Sequence, residues 1–158
     1  MAKNFDPDSI SLFKGLEPED IKLLMKKFSH ESIPDDTIIF HQGGNAERLY
    51  VMLSGRVSIR FKPHDGETLH VADIKDGDVF GWSAALGRDV YTSCAITTKD
   101  SEVLSIRGED LHELCTSNPE IGVVILEGLA AVIAERLRNT HKQVVELLWQ
   151  GVNSGNNR

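Results

Sequence analysis

The sequence predicts an α+β protein: a β jelly roll, or double-stranded β-helix barrel, flanked by N-terminal helices and a long C-terminal helix. Two observations predict it. Between about residues 33 and 106, short β-rich runs alternate with glycine-bearing turns at roughly 8–12-residue intervals, the spacing of a barrel or jelly roll. On either side of this zone, apolar residues recur with the helical period instead. The chain of 158 residues is long enough for one domain with its own core. It reads as a single domain over residues 1–150, with the barrel at about 33–106, C-terminal helices at about 109–149, and residues 151–158 as a frayed, disordered tail.

The elements follow in order. Residues 8–13 suit a short turn. Pro18, Glu19 and Asp20 then supply what a first helical turn favours, a proline and two carboxylates. Ile21, Leu24, Met25 and Phe28 follow at i, i+3, i+4 and i+7, an amphipathic helix. Strand-like runs cover residues 37–40, 49–53, 57–61, 69–72 and 102–106, with shorter ones at Val79-Phe80 and from Tyr91 onward. Turns separate them at Gln42-Gly43-Gly44-Asn45, Ser54-Gly55, His64-Asp65-Gly66-Glu67 and Lys75-Asp76-Gly77-Asp78. Residues 109–115 suit a short helix. Ser117 and Glu120 have the spacing of a capping box, and a long helix follows to about Trp149.

That last helix has a pattern of its own. Leu126, Ala130, Ile133, Leu137, Thr140, Val144 and Leu147 are spaced 4-3-4-3-4-3, a heptad seam. A helix of this length spans about 45 Å at 1.5 Å per residue, longer than a small barrel can cover. The seam therefore predicts a homodimer, against the alternative of a helix packed only on its own barrel.

Composition removes several classes of function. Hydrophobic residues are 41% and charged residues 26% of the chain, and the formal net charge is −7. An acidic chain lacks the basic face that non-specific nucleic-acid binding needs. The N-terminus has no long apolar stretch, and the most apolar segment, residues 121–134, is interrupted by Glu127 and too short to span a bilayer. The expectation is a cytoplasmic protein with no membrane partner. Cys94 and Cys115 have no CxxC spacing and fall in apolar patterns, which predicts buried free thiols. Six histidines are present without an HxH pair, so a metal-bearing jelly roll has no motif behind it and no metal site is expected. No spacing supports a catalytic triad, and Asp76 and Asp78 are turn formers; the chain is not expected to be an enzyme.

The stretch VFGWSAALGRDVYTSCAIT, residues 79–97, holds the candidate ligand site. A glycine and small residues between two strands place backbone amides where a ligand can reach them. No charged residue stands beside the glycine.

The order of elements and three particular stretches resemble the cyclic-nucleotide-binding domain of the CRP/FNR and protein-kinase-A regulatory families, over roughly residues 10–145. LFKGLEPEDIKLLMKKF is similar to that family's opening helix. IIFHQGGNAERLYVMLSGRVSI is similar to its first hairpins, with Gly43 and Gly55 at family glycine positions. DGDVFGWSAAL followed by YTSCAITTKDSEVLSI is similar to its phosphate-binding cassette and the next strand. The resemblance implies a regulatory domain that binds a small ligand at Phe80, Gly81, Trp82, Ser83, Ala84, Tyr91, Thr92 and Ser93. It also implies a cyclic nucleotide, cyclic AMP or cyclic GMP, as the first ligand to consider. In the family a glutamate after the glycine takes the ribose hydroxyl and an arginine grips the phosphate. Here those positions are Trp82 and Tyr91, and Arg88 stands three residues early.

Three outcomes stay open at this stage. The two rings fill the pocket with the protein's own core, or the pocket takes a different or uncharged ligand, or it holds a cyclic nucleotide in a non-standard way. The readings of function are a sensor domain with weakened or altered nucleotide binding that acts through a partner protein, and a ligand-free dimerisation scaffold with a degenerate pocket. Direct DNA binding is not expected, because only nine residues follow Trp149 and they carry no recognition-helix pattern.

Overall fold

A computed structural model describes residues 6–155 of the chain. Two short 3₁₀ turns, Pro7–Ser9 and Ser11–Phe13, lead into helix α1, Pro18–Met25. Pro18 sits in the first turn of α1, where its missing N–H costs nothing, and Glu19 and Asp20 face the positive end of the helix dipole. The helix stops at Met25, one turn earlier than the sequence periodicity predicts. Phe28 keeps its place in the core all the same, meeting Phe13 edge to face at 5.8 Å.

Eight strands follow: β1 Ser29–Ile33, β2 Ile38–Phe40, β3 Arg48–Ser54, β4 Val57–Phe61, β5 Leu69–Ile74, β6 Val79–Phe80, β7 Cys94–Thr97 and β8 Ser101–Arg107. They form two four-stranded antiparallel sheets, ordered β1-β8-β3-β6 and β2-β7-β4-β5. This is the jelly roll that the sequence predicts. Strand β1 lies outside the predicted barrel boundary. From His30 on its residues alternate in exposure, and Ser32 and His30 both reach Glu102 on the neighbouring β8, at 2.8 and 3.0 Å. The tight connection from β3 to β4 needs Gly55, whose φ is +111°; a Cβ there would fall 2.7 Å from the Asp100 carbonyl oxygen.

The strand period of two decides which core each residue joins. On β3, Leu49 and Val51 face the helices, while Tyr50 and Met52 face the barrel interior. On β8, Leu104 and Ile106 face the helices and Val103 the interior. A strand buried on both sides reads as a near-continuous apolar run, which is why 49–53 is legible as a strand, while 102–106 is legible from its β-rich Val103, Leu104 and Ile106. The outer core is closed by Leu12, Phe13 and Leu24 from the N-terminal segment and by the C-terminal helices.

Helix α2 runs Gly108–Ser117 and helix α3 runs Pro119–Gly155, about 55 Å at 1.5 Å per residue. The junction differs from the expected capping box. Ser117 is the last residue of α2, and Asn118 is the residue before Pro119, bonding back to the Leu114 carbonyl through its own N–H at 2.9 Å. The helix also outruns the expected end near Trp149; residues 156–158 of the expected tail lie outside the described residues. Ile121, Ile125 and Leu129 bury one face of α3 against the domain. From Leu137 to Gly151 every residue is exposed. Cys94 and Cys115 are free thiols, as expected, but half-buried rather than buried; partial burial raises both thiol pKa values. No helix of the described residues is long and apolar enough to cross a membrane.

Candidate functional site

The site is built where β6 ends. Gly81 adopts φ +74°, and a Cβ on it would press on the Arg48 carbonyl oxygen at 3.1 Å and on the rings of Tyr50 and Phe40 at 3.2 and 3.3 Å. Only glycine combines that backbone angle with that approach. Residues 82–87 then form a coil of turns, closed by Leu86 N–H donating to the Trp82 carbonyl at 3.0 Å and Arg88 N–H to the Ser83 carbonyl at 2.9 Å. The return segment is pinned at Tyr91, whose N–H donates to the Gly44 carbonyl at 2.9 Å and whose carbonyl accepts from Gly43 N–H at 2.8 Å.

Tyr91 turns inward. It is 4% exposed, and its ring stacks on Phe40 with centroids 3.8 Å apart and planes 15° apart. Its hydroxyl donates to the Arg48 carbonyl at 2.5 Å and accepts from the Arg48 N–H at 3.0 Å. Both hydrogen-bonding roles of the phenol are thus used by the protein. Burial raises the Tyr91 pKa, with the Arg48 backbone bond acting the other way. Tyr50 and Phe80 stack at 5.1 Å and complete a four-ring cluster with Phe40 and Tyr91 inside the barrel.

Trp82 turns the other way. It packs against the outer core, and the Arg136 guanidinium carbon from α3 sits 4.4 Å from the centre of its ring. That is within cation–π range. Burial pushes the Arg136 pKa down, partly offset by Asp78 and Glu135. Between these groups remains a cavity of about 40 Å³, walled by Gly81, Trp82, Ser83, Tyr91, Thr92 and Ser93 of the predicted set. It holds about one water molecule. Two predicted residues do not line it: Phe80 is fully buried in the aromatic cluster, and Ala84 faces a separate groove of about 610 Å³ beside α2. Arg88 lines that groove as well and does not reach the cassette cavity.

Sequence reasoning missed Phe40, Ile59 and Arg136, which complete the cavity wall. Phe40 is signalled only by being an aromatic at a strand end. Arg136 is signalled by being a charged residue one position before Leu137 of the heptad seam. Arg136 also lines a second, larger cleft of about 650 Å³ between β5 and α3. Among the described residues no group of three or more His, Cys, Asp or Glu side chains converges to hold a metal ion.

Residues 30–118 match the family model described as cyclic nucleotide-binding domain. The chain is 29% identical over 141 residues to the CRP-like cAMP-activated global transcriptional regulator of Mycobacterium tuberculosis (strain CDC 1551 / Oshkosh), covering 89% of this chain and 61% of that protein. It is 32% identical over 128 residues to the cyclic AMP receptor protein of Thermus thermophilus, covering 80% of this chain and 57% of that protein. The crystal structure of the Thermus thermophilus catabolite activator protein superposes with a TM-score of 0.73 at 29% identity, over 87% of this chain and 62% of that one. The chain thus spans about three fifths of the length of the curated relatives it matches.

Proposed function

The chain belongs to the cyclic nucleotide-binding domain family, and from that premise we propose that it is a non-catalytic, cytoplasmic sensor domain with weakened cyclic-nucleotide binding. It works as a homodimer through α3 and signals to a partner protein. The observation that carries this reading is the inward Tyr91, stacked on Phe40 and bonded at both ends of its hydroxyl to the Arg48 backbone. The family's arginine position is thereby spent on the protein's own core. A drug-sized ligand occupies a pocket of roughly 300–1,000 Å³, and a cavity of about 40 Å³ cannot receive one without movement.

The energetics point the same way. A hydrogen bond to a charged group contributes about 1.5–3 kcal/mol, and a forked arginine makes two. Losing that fork weakens phosphate binding by about two to four powers of ten. The backbone cradle at Gly81, with Thr92 and Ser93, stays available as a source of neutral donors. The dimer reading rests on α3: Leu126, Leu137, Val144 and Leu147 are 55%, 65%, 49% and 67% exposed in the single chain, with Ala130, Ile133 and Thr140 between them on the same seam. The second reading, a ligand-free dimerisation scaffold, is favoured by the same small cavity.

Calorimetry with cyclic AMP and cyclic GMP separates the two. A sensor of this kind binds one of them in the high-micromolar range, and the double change Trp82→Glu with Tyr91→Arg tightens that binding at least tenfold, about 1.4 kcal/mol. No heat from either nucleotide in both proteins would favour the scaffold. A dissociation constant near or below about one micromolar for the unmutated chain would overturn the weakened-site reading.

A further inference from the structure

Among the described residues, Arg136 is the one that lines both the 40 Å³ cassette cavity and the 650 Å³ cleft between β5 and α3. Its guanidinium rests on the Trp82 ring, 4.4 Å from the centroid. Trp82 is the other wall of the small cavity at that point. Arg136, seated on that ring, therefore forms a partition. On one side are Gly81, Thr92 and Ser93; on the other are Asp73, Lys75 and Asp78 facing Thr140 of α3. The partition is held by a cation–π contact between two side chains that each retain some exposure, with the charges of Asp78 and Glu135 also acting on the guanidinium. No hydrogen bond or close ion pair fixes the guanidinium among the described residues, although both carboxylates lie near enough to act on it electrostatically.

We propose that the Trp82–Arg136 pair is a gate that separates the cassette cavity from the β5–α3 cleft, and that its opening joins the two into one site large enough for an anionic ligand. The ligand half of this inference rests on the sensor reading above; the gate itself does not. The cleft alone has the volume of a small-molecule site, whereas the cassette has the backbone donors but no room. Opening needs only side-chain rotation at Trp82 and Arg136, because Tyr91 stays fixed by Arg48. The released guanidinium is then a cation in the wall of the same cavity as Thr92 and Ser93. Because Arg136 stands on α3, the exchange of an indole face for an anion changes what holds the middle of that helix to the barrel. The gate thus couples cavity to helix without any change in the sheets.

Trp82 is its own reporter. The chain has two tryptophans, and Trp149→Phe removes the exposed one at the far end of α3. In that background, without ligand, Arg136→Gln raises acrylamide quenching of Trp82 severalfold. It also speeds amide exchange over residues 132–140 by about two- to thirtyfold, the span of one cation–π contact. Exchange in β3 and β8 stays as it was, and Arg136→Lys falls between the two proteins. Unchanged quenching and exchange in Arg136→Gln would overturn the gate, and so would faster exchange through β3 and β8 as well, since the residue would then be a general support of the fold.

Cyclic AMP is the probe for the ligand half. Nucleotide binding that makes Trp82 more quenchable and is weakened by Arg136→Gln supports the joined site. Saturable binding that leaves Trp82 and α3 exchange untouched overturns it while leaving the sensor reading intact. No binding, with the ligand-free results as expected, removes the sensor reading and leaves the gate standing.

Discussion

Tyr91 and Tyr50 close the barrel from within, and they do so by different means. Tyr91 satisfies its hydroxyl on the Arg48 backbone, whereas Tyr50 stacks between Phe40 and Phe80 with its phenol desolvated. Burial, reinforced by neighbouring Tyr91 and Glu31, pushes the Tyr50 pKa up to about 12 from 10. A phenol whose folded pKa lies above its unfolded one favours the folded state while it stays protonated. The unfolded chain releases its proton first as pH rises past about 10, so stability falls between about pH 10 and 12. Two pKa units correspond to at most about 3 kcal/mol. Urea titrations from pH 9 to 12 should show that decline, and Tyr50→Phe, which keeps the ring stack, should flatten it. A decline of equal depth in Tyr50→Phe would assign the alkaline loss to other groups. That Gly81, Trp82, Ser83, Thr92 and Ser93 gather around one cavity was legible because a glycine turn between strands is a local signal. The inward turn of Tyr91 was not, because it depends on a backbone group 43 residues earlier in the chain.

At the scale of elements, α3 divides into two halves with different partners. Ile121, Ile125 and Leu129 bind its first half to the domain. Beyond Leu137 the helix stands in solvent with Val144, Leu147, Leu148 and Trp149 exposed. Burying such a leucine contributes about 1.5–3 kcal/mol, which the isolated chain leaves unused. Ile133→Glu with Leu137→Glu puts two charges per chain into the seam. Sedimentation should then show a monomer, with circular dichroism unchanged because Leu137 is exposed and Ile133 only half-buried in the single chain. If the unmutated protein already sediments as a monomer at micromolar concentration, the seam has no partner helix. Strands β3 and β8, seven residues each and rich in β-formers, and this helix, whose heptad period extends over many residues, were legible. Strands β1 and β6 were harder, since SHESI offers only one large apolar residue and Val79-Phe80 is two residues long. Sheet pairing, not local preference, makes them strands: β1 through β8, and β6 through the Tyr50–Phe80 pair on β3.

At the scale of the whole molecule, net charge predicts that this chain does not use its own surface as a nucleic-acid clamp. Two of its relatives are named as a transcriptional regulator and a cyclic AMP receptor protein, and it covers 61% and 57% of their lengths. The 158 residues carry 24 Asp and Glu against 17 Lys and Arg, a net charge of −7. Duplex DNA repels such a surface, and each phosphate contact must be bought from a cation that is not already facing a carboxylate. Three of the cations are also engaged locally: Arg88 and Arg107 share their groove with Glu47, Glu109 and Glu113, and Arg136 stands on Trp82. Binding by counterion release would therefore engage few phosphates, and its affinity would vary little with salt. Fluorescence anisotropy with a random duplex at physiological salt should give no sub-micromolar binding by this chain, with or without cyclic AMP. Sub-micromolar affinity with a steep loss as salt rises would mean that dimerisation assembles a basic face that the single chain does not have. The monomeric Ile133→Glu, Leu137→Glu protein would then lose that affinity, which identifies the dimer as the DNA-binding species.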